Sequence, residues 1–339
     1  MIISRTPFRI SFFGGGTDYP GWYRNDGGAV LSTTIDKYCY ISCRYLPPFF
    51  DHRYLIRYRV IETVGHMEEI RHPSVRECLR FMGIQDGIEM VHNSDLPARS
   101  GIGSSSAFTV GLLNTLYALT GRMVGKRKLA ADAICIEQQM IRENVGSQDQ
   151  VAAAFGGLNR IEFNCREDFI VSPITIDHRK IRTLQNHLML FFTGLSRTAS
   201  EIAAEQMRNV EHNRAELRTM KQMVDEAVRI LNGPVDGIED FGRLLHESWM
   251  LKRTLSSRVS NTAIDEVYQT AMQAGAIGGK LCGAGGGGFI LLFVPPRKQR
   301  MVRRALKGLL FVPFTFETLG SHIILYANKE YDSRPLIWN

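Results

Sequence analysis

The segment LPARSGIGSSSAF, Leu96–Phe108, determines the fold that this sequence predicts. It places two glycines and four serines directly before an apolar run with helical spacing. The first turn of a helix carries unpaired N–H groups and the positive end of the helix dipole, and glycine lets a ligand approach the backbone closely. The segment therefore indicates a phosphate-binding loop. The alternative is a serine-rich turn that only caps the helix.

Length and composition are those of a globular protein with two domains. The chain has 339 residues, of which 44% are hydrophobic and 22% charged. No apolar run approaches the roughly 20 residues that cross a bilayer, and the N-terminal segment lacks the features of an export signal. We expect a cytoplasmic protein with no membrane partner. Its six scattered cysteines predict free thiols rather than disulfides or zinc ligands.

The net charge of +7 raises the question of a nucleic-acid partner. The cations are dispersed along the chain rather than gathered in one basic tail, and a solvated helix face explains those of residues 297–304 most simply. The sequence therefore predicts no nucleic-acid partner. A basic pocket for a small phosphorylated molecule accounts for the charge better.

The periodicities along the chain predict two α+β halves that meet near residue 180. In the first half, strand-like segments precede the serine loop, and helices follow it, one of them over residues 126–144. The second half begins near Leu184, and its first predicted element is a buried strand, HLMLFFTG at residues 187–194. A single long helix, from about Ser196 to Leu231, then precedes two further helices, a glycine loop between strands, a basic helix and a last pair of strands.

Three glycine-rich turns stand out, at Gly14–Gly16, Gly101–Gly103 and Gly283–Gly288. No segment has the P-loop pattern G-x-x-x-x-G-K-[ST]. The third turn, GAGGGG, has the spacing of a dinucleotide-binding motif, but the strand follows these glycines instead of preceding them. The sequence therefore excludes an NAD site of that kind.

Taken together, the three glycine-rich segments resemble the motifs of the GHMP kinases in order and spacing. They are TPFRISFFGGGTDY at residues 6–19, the pattern P-x-x-x-G-x-G-S-S-S-A at residues 97–107, and KLCGAGGGG at residues 280–288. The resemblance spans nearly the whole chain and is strongest to the sugar 1-kinase branch. It implies a two-domain α+β fold, with an N-terminal α/β domain (1–183) that holds the ATP and sugar site and a ferredoxin-like α+β C-terminal domain (184–339).

By this resemblance the serine loop binds the β- and γ-phosphates of ATP, and Mg²⁺ is the second cofactor. The implied phosphate-binding residues are Pro97, Ser100, Gly101, Ile102, Gly103, Ser104, Ser105 and Ser106. Ser105 and Glu137 match the metal ligands of the family, and Mg²⁺ prefers such hard oxygen ligands. The alternative for Glu137 is a surface carboxylate on a helix.

The resemblance also implies the groups that act on the acceptor. Asp149, in a G-x-x-D-Q context, matches the aspartate that orients the acceptor hydroxyl and accepts its proton, and Arg9 matches the cation of the first motif. The implied substrate-binding residues are Asp18, Gly15, Gly16, Arg197, Lys280, Gly285 and Gly286, with Lys252 and Arg253 as further candidate cations. Galactokinase has Glu-His where this chain has two glycines, which argues against galactose.

The function that the resemblance implies is phosphorylation of the anomeric hydroxyl of D-glycero-D-manno-heptose 7-phosphate to the 1,7-bisphosphate. The expected partners are the sugar phosphate and ATP, and a homodimer is compatible with the sequence. One alternative is a 1-kinase for a free sugar such as fucose or arabinose. Two others, on the same fold, are a non-catalytic sugar sensor and a diphosphomevalonate decarboxylase.

Overall fold

The structure is a computed structural model that describes residues 1–47, 49–194 and 199–327. The strands are β1 (Ile2–Phe13), β2 (Gly28–Tyr45), β3 (Tyr54–Arg57), β4 (Ile61–Val64), β5 (Ile88–Ser94), β6 (Leu158–Phe163), β7 (Phe169–Pro173), β8 (Leu188–Phe192), β9 (Gly278–Leu281), β10 (Phe289–Phe293), β11 (Leu310–Val312), β12 (Phe316–Glu317) and β13 (His322–Tyr326). The α-helices are α1 (Pro20–Asp26), α2 (Pro73–Met82), α3 (Ser104–Leu119), α4 (Lys126–Cys135), α5 (Gln148–Phe155), α6 (His178–His187), α7 (Ala199–Arg208), α8 (Arg214–Asn232), α9 (Glu239–Thr254), α10 (Thr262–Gln273) and α11 (Gln299–Ala305).

A nine-stranded sheet organises the first half of the chain. Its main path runs β13-β1-β2-β5-β3-β4; β12 and β6 also pair with β2, and β7 pairs with β6. The long strands β1 and β2 pair antiparallel over most of their length, whereas β3 runs parallel to β5. The serine loop leads into α3, which packs on β1 and β2 and is buried along nearly its whole length. The start of α3 is therefore held rigidly against β1.

The strands near the end of the described chain return to this first sheet. In the β1–β13 pair Ile2 lies opposite Tyr326, and in the β2–β12 pair Ile35 lies opposite Phe316. The sheet of the first half is thus completed by the last 12 residues of the described chain, 316–327. The division of the chain at residues 183 and 184 stays a prediction.

A four-stranded antiparallel sheet, in the order β11-β8-β10-β9, organises the second half. Every residue of β10 is buried, as its uninterrupted apolar sequence FILLF predicts for a strand covered on both faces. Met189, Phe191, Trp249 and Ile290 belong to the core beside this sheet. The α+β fold expected from the sequence is confirmed.

Two predicted helices are interrupted. The helix expected from about Ser196 to Leu231 is divided into α7 and α8, and its first three residues lie outside the described part of the chain. Between α7 and α8 the Asn213 side chain donates a hydrogen bond to the carbonyl of Leu255, at 2.9 Å, and asparagine is a weak helix former. The helix expected over residues 126–144 ends its regular part at Cys135 and continues as a π-helical turn, Ile136–Met140.

The free thiols that the sequence predicts are confirmed. All six cysteines are unpaired, and Cys39, Cys43, Cys78 and Cys282 are buried. Within residues 1–47, 49–194 and 199–327, no helix is both long and apolar enough to cross a membrane.

Candidate active site

One cleft is lined by residues from all three glycine-rich segments, which are far apart in the sequence. The lining also includes residues of α5 and α9. The predicted site residues found there are Arg9, Gly15, Gly16, Asp18, Gly101, Gly103, Ser104, Ser105, Ser106, Asp149 and Lys280. The fold therefore gathers most of the candidate residues at one place.

The serine loop ends at Gly103, directly before the first turn of α3. Gly101 and Gly103 have φ of +83° and +74°, a left-handed conformation that glycine adopts readily. The backbone N–H groups in the first turn of a helix have no intrahelical partner, and residues 104–106 of this turn line the cleft. This geometry suits the binding of a phosphate group.

The third glycine segment supports the serine loop by direct backbone contact. A Cβ added to Gly101 would lie 2.4 Å from the carbonyl oxygen of Cys282, and one added to Gly288 would lie 2.2 Å from that of Ser100. The backbone N–H of Phe289 also donates to the Ser100 carbonyl at 3.1 Å. Both segments therefore require glycine at these contacts, and the turn GAGGGG fixes the loop in place.

Arg9 and Asp149 form a bidentate ion pair inside the cleft. Nε donates to Oδ1 at 2.6 Å and Nη2 donates to Oδ2 at 2.8 Å, while Nη1 donates to the Gly101 carbonyl at 2.8 Å. The Arg9 side chain is 5% exposed and that of Asp149 25% exposed. The guanidinium thus joins the carboxylate to the serine loop and leaves one side of the carboxylate open to the cleft.

Asp149 lies next to the start of α3. A Cβ added to Gly103 would lie 3.5 Å from Oδ2 of Asp149 and 3.1 Å from Cγ of Arg9. A phosphate group held by the first turn of α3 would therefore lie beside this ion pair. In-line phosphoryl transfer requires that an acceptor, a positioning group and the phosphate meet in this way.

Asp18 lines the same cleft and is buried. Its Oδ1 accepts a hydrogen bond from the Gly16 N–H at 2.9 Å, and its Oδ2 accepts a longer one from the Gln148 N–H at 3.4 Å. Burial raises the pKa of Asp18 above its ordinary value, and the negative charge of Asp149 raises it further. The carboxylate is a suitable acceptor for hydroxyl groups of a bound sugar.

Replacing Gly146 with alanine should displace Asp18, because the new Cβ would lie 1.9 Å from Oδ2 of that carboxylate. We expect kcat/KM for the acceptor to fall at least 10-fold while the Kd for ATP changes little. Steady-state kinetics and nucleotide titration measure the two effects. Gly125→Ala is the matched control, because a Cβ at Gly125 meets nothing within 4 Å. An unchanged kcat/KM in Gly146→Ala would contradict the proposed role of Asp18.

Glu137 lies on the π-helical turn behind the serine loop and is 1% exposed. Its Oε2 accepts hydrogen bonds from Ser106 Oγ, at 2.8 Å, and from Gln150 Nε2. Its Oε1 is buried without a hydrogen-bond partner among the described residues. Burial raises the pKa of Glu137 from 4.5 to about 7. Single-turn π-helices are frequent at functional sites.

The serine that contacts Glu137 is Ser106, whereas Ser105 is exposed and lines the cleft. The described ranges hold no cluster of three His, Cys, Asp or Glu side chains that would bind a metal alone. Mg²⁺ in kinases is bound by one or two protein oxygens together with substrate phosphates. Glu137 does not line the cleft itself, but its carboxylate accepts a hydrogen bond from Ser106, which does, and its other oxygen has no hydrogen-bond partner among the described residues, so the pair fits that requirement. Glu137 and the hydroxyls of Ser105 and Ser106 are thus the groups that would hold the ion.

The stability of the metal-free protein should fall as pH rises from 4.5 to 7, owing to Glu137. A carboxyl group whose pKa is raised in the folded state binds more protons there than in the unfolded state, so its contribution is lost through this range. The raised pKa corresponds to a loss of unfolding free energy on the order of 3 kcal/mol across this pH range. Urea unfolding at pH 5 and pH 8, in EDTA, should show a larger loss for wild type than for Glu137→Gln. Equal losses of unfolding free energy in wild type and Glu137→Gln would contradict the assignment of this pH dependence to Glu137.

Two buried lysines place their amino groups at the cleft. Lys280 Nζ donates to the carbonyls of Ser11 and Phe12, at 2.8 and 3.0 Å. Lys252 Nζ donates to the Gly283 carbonyl at 2.5 Å. Burial lowers the pKa of Lys280 well below its ordinary value and that of Lys252 to about 8, and the positive charge of Arg9 lowers both further. An anionic group bound beside them would stabilise their charged forms.

Other predicted site residues are placed differently. Arg253 forms an ion pair with Asp265 at 2.7 Å, away from the cleft lining. Gly285 and Gly286 pack against Val259, and the residues of this turn that line the cleft are Gly283 and Ala284. Pro97, Ser100 and Ile102 shape the loop without lining the cleft. Arg197 lies outside the described residues.

Sequence reasoning missed several lining residues: Tyr19, Arg99, Glu143, Gln148 and Gln206. It also left Lys252 as one of several candidate cations. A signal for Lys252 is present, since it follows the buried Leu245 and Trp249 at helical spacing. A lysine on the apolar face of a helix is unusual unless it serves a buried anion or a ligand.

The matches to family models agree with this geometry. The model described as the GHMP kinases N terminal domain matches residues 68–157, and the GHMP kinases C terminal model matches residues 235–309. The chain belongs to the GHMP kinases. It is therefore a kinase, and the predictions of the family and of a phosphotransferase that uses ATP are confirmed.

Among its relatives is D-glycero-alpha-D-manno-heptose 7-phosphate kinase of Campylobacter jejuni, 30% identical over 90% of this chain and 93% of that protein. A solved structure titled a D-glycero-D-manno-heptose 1-phosphate kinase, from Bacteroides thetaiotaomicron, has a TM-score of 0.77 and 26% identity, and covers 96% of this chain and 100% of that one. L-fucokinase/L-fucose-1-P guanylyltransferase of Bacteroides fragilis is 24% identical over 90% of this chain and 36% of that protein.

Proposed function

We propose that the protein is an ATP- and Mg²⁺-dependent sugar-phosphate kinase that acts on D-glycero-D-manno-heptose 7-phosphate and phosphorylates its anomeric hydroxyl. The observation that carries the proposal is the Arg9–Asp149 pair beside the start of α3, in the same cleft as Asp18. The choice of sugar is supported by the Campylobacter jejuni relative, whose name states this substrate. The buried cations Lys252 and Lys280 agree with an acceptor that itself carries a phosphate.

In the proposed reaction the anomeric oxygen attacks the γ-phosphorus of ATP, and the bond from that phosphorus to the β-phosphate oxygen breaks to release ADP. The carboxylate of Asp149 has about four lone-pair directions, of which Arg9 uses two. The remaining two are available to orient the acceptor hydroxyl and then to take its proton. Because both oxygens are held by charged hydrogen bonds, positioning contributes more than basicity.

The donor phosphates would be held by the first turn of α3 and the serine loop. The N–H groups of residues 104–106 supply hydrogen bonds, and the Arg9 guanidinium supplies positive charge beside the transferred group. Bound Mg²⁺ would neutralise charge on the β- and γ-phosphates. Glu137 and Ser106, with Ser105 at the cleft surface, are the residues that we assign to it.

The proposal is tested by offering several acceptors with ATP and Mg²⁺ and identifying the products by ³¹P NMR. The set contains heptose 7-phosphate, heptose 1-phosphate, the free heptose, L-fucose, D-arabinose and, for the decarboxylase alternative, mevalonate diphosphate. We expect the highest kcat/KM with heptose 7-phosphate and a new phosphate signal coupled to the anomeric proton. The 1-phosphate is included because the Bacteroides thetaiotaomicron structure is titled as a 1-phosphate kinase.

Each alternative has its own outcome in this assay. Turnover of free sugars alone would identify a 1-kinase similar to the fucokinase of Bacteroides fragilis. Binding of a sugar without turnover, measured by calorimetry, would identify a sensor. Release of carbon dioxide from a mevalonate diphosphate would identify a decarboxylase. Any of these three results would overturn the proposed function.

A further inference from the structure

Arg99 is a non-glycine residue in a left-handed backbone conformation inside the serine loop. Its φ is +58°, and among the described residues only Arg142 and Glu167 share this feature, at +62° and +61°. Such a conformation costs a non-glycine residue about 1 kcal/mol or more, and it persists where the surroundings enforce it. Glycine would adopt this conformation without strain, so the presence of arginine here needs an explanation.

The surroundings hold the backbone of Arg99 in place. Its N–H donates to the side-chain oxygen of Ser104 at 3.1 Å, and the hydroxyl of Ser100 donates to the Pro97 carbonyl at 2.6 Å. Leu96 and Ser100, on either side, are buried. The loop is therefore closed by its own hydrogen bonds and by its contact with the third glycine segment. None of these contacts uses the Arg99 side chain.

The Arg99 residue is exposed and lines the mouth of the cleft with the three serines of the first turn of α3. Among the described residues no hydrogen bond or ion pair to its guanidinium is found. Glu143 lines the same cleft, and the positive charge of Arg99 lowers the pKa of that carboxyl, which burial raises. A guanidinium with no hydrogen-bond partner among the described residues thus lines the same cleft as the backbone groups that suit a phosphate.

We propose that Arg99 is a nucleotide-binding residue that contacts the polyphosphate of ATP from the loop itself. The inference rests on the proposed function only as far as ATP binding at this loop. The serine loop has no lysine of the P-loop kind, and Arg99 supplies the positive charge that a loop of serines and glycines lacks. A guanidinium bonded to phosphate oxygens gives strong charge-assisted hydrogen bonds.

The test separates binding from stability. Arg99→Gly removes both the charge and the backbone strain, so we expect a Tm equal to or above that of wild type and a Kd for ATP at least 10-fold weaker. Arg142→Gly relieves the same kind of strain outside the cleft lining, and there the Kd should stay within twofold of wild type. Calorimetry with ATP alone and thermal denaturation measure both quantities.

A second variant covers the case in which Arg99→Gly fails to fold. Arg99→Met keeps a long side chain and the strained backbone, so it should weaken ATP binding without raising the Tm. In steady-state kinetics KM for ATP should rise while KM for the acceptor stays unchanged. ATP binding within twofold of wild type in both Arg99 variants would overturn the proposal. No sugar is present in the titration, so a wrong assignment of the acceptor leaves its result intact.

Discussion

Asp149→Asn is expected to lower kcat by about 10²- to 10⁴-fold, the range typical of a positioned acid–base group. Asparagine keeps the size of the side chain, but it loses the negative charge and one of the two oxygens that Arg9 binds. The acceptor hydroxyl would then lack a group that takes its proton. The measurement is kcat for the sugar phosphate at saturating ATP.

The same variant should bind ATP nearly as well as wild type, because the Asp149 carboxylate has no proton to donate to a phosphate. The groups that we assign to the phosphates are the serine loop, the first turn of α3 and Arg9. Calorimetry with ATP checks this. Asp225→Asn is the matched control, since Asp225 is an exposed carboxylate in an ion pair with Arg160 away from the cleft lining. If Asp149→Asn kept kcat within threefold of wild type, the proposed mechanism would be wrong.

Arg9→Met should lower kcat by a similar factor and also weaken the binding of ATP. The guanidinium orients the Asp149 carboxylate through two hydrogen bonds and fixes the serine loop through a third, to the Gly101 carbonyl. Its loss therefore affects both the orientation of the acceptor by Asp149 and the binding of ATP by the serine loop. We expect kcat to fall at least 10²-fold and KM for ATP to rise, measured by steady-state kinetics.

A double-mutant cycle tests whether the two residues act as one unit. In Arg9→Met/Asp149→Asn the kcat should lie close to that of the more damaged single variant, because each substitution already disrupts the same pair. Four proteins are needed, and the stability of each is checked by urea unfolding. Effects on log kcat that simply add would contradict the interpretation of the pair as one catalytic unit.

The site was predictable where the information lies in local motifs. Glycines mark the three turns that meet at the cleft, and the apolar stripe after Gly103 predicts α3 and its start. Which serine faces Glu137 was not predictable in this way. Adjacent residues on a helix differ by about 100° in direction, so the choice between Ser105 and Ser106 depends on the tertiary packing of α3.

Other features depend on contacts that periodicity does not encode. The π-helical turn that carries Glu137 keeps the apolar pattern of a regular helix, so the sequence predicts an uninterrupted one. At the break before α8 the Asn213 side chain donates a hydrogen bond to Leu255, 42 residues away, a contact that the local pattern does not encode. The glycine contacts at Gly101 and Gly288 likewise join segments that are distant in the chain.

The pairing of β13 with β1 has a consequence for synthesis on the ribosome. These strands are made at opposite ends of the described chain, at residues 2–13 and 322–326, so at 5–20 residues per second the nascent β1 waits on the order of 15–60 s for its partner. During that time it exposes an unpaired edge, which promotes aggregation. Co-translational folding of the first half therefore stays incomplete, and a chain released before residue 316 lacks β12 and β13, the strands that complete its first sheet.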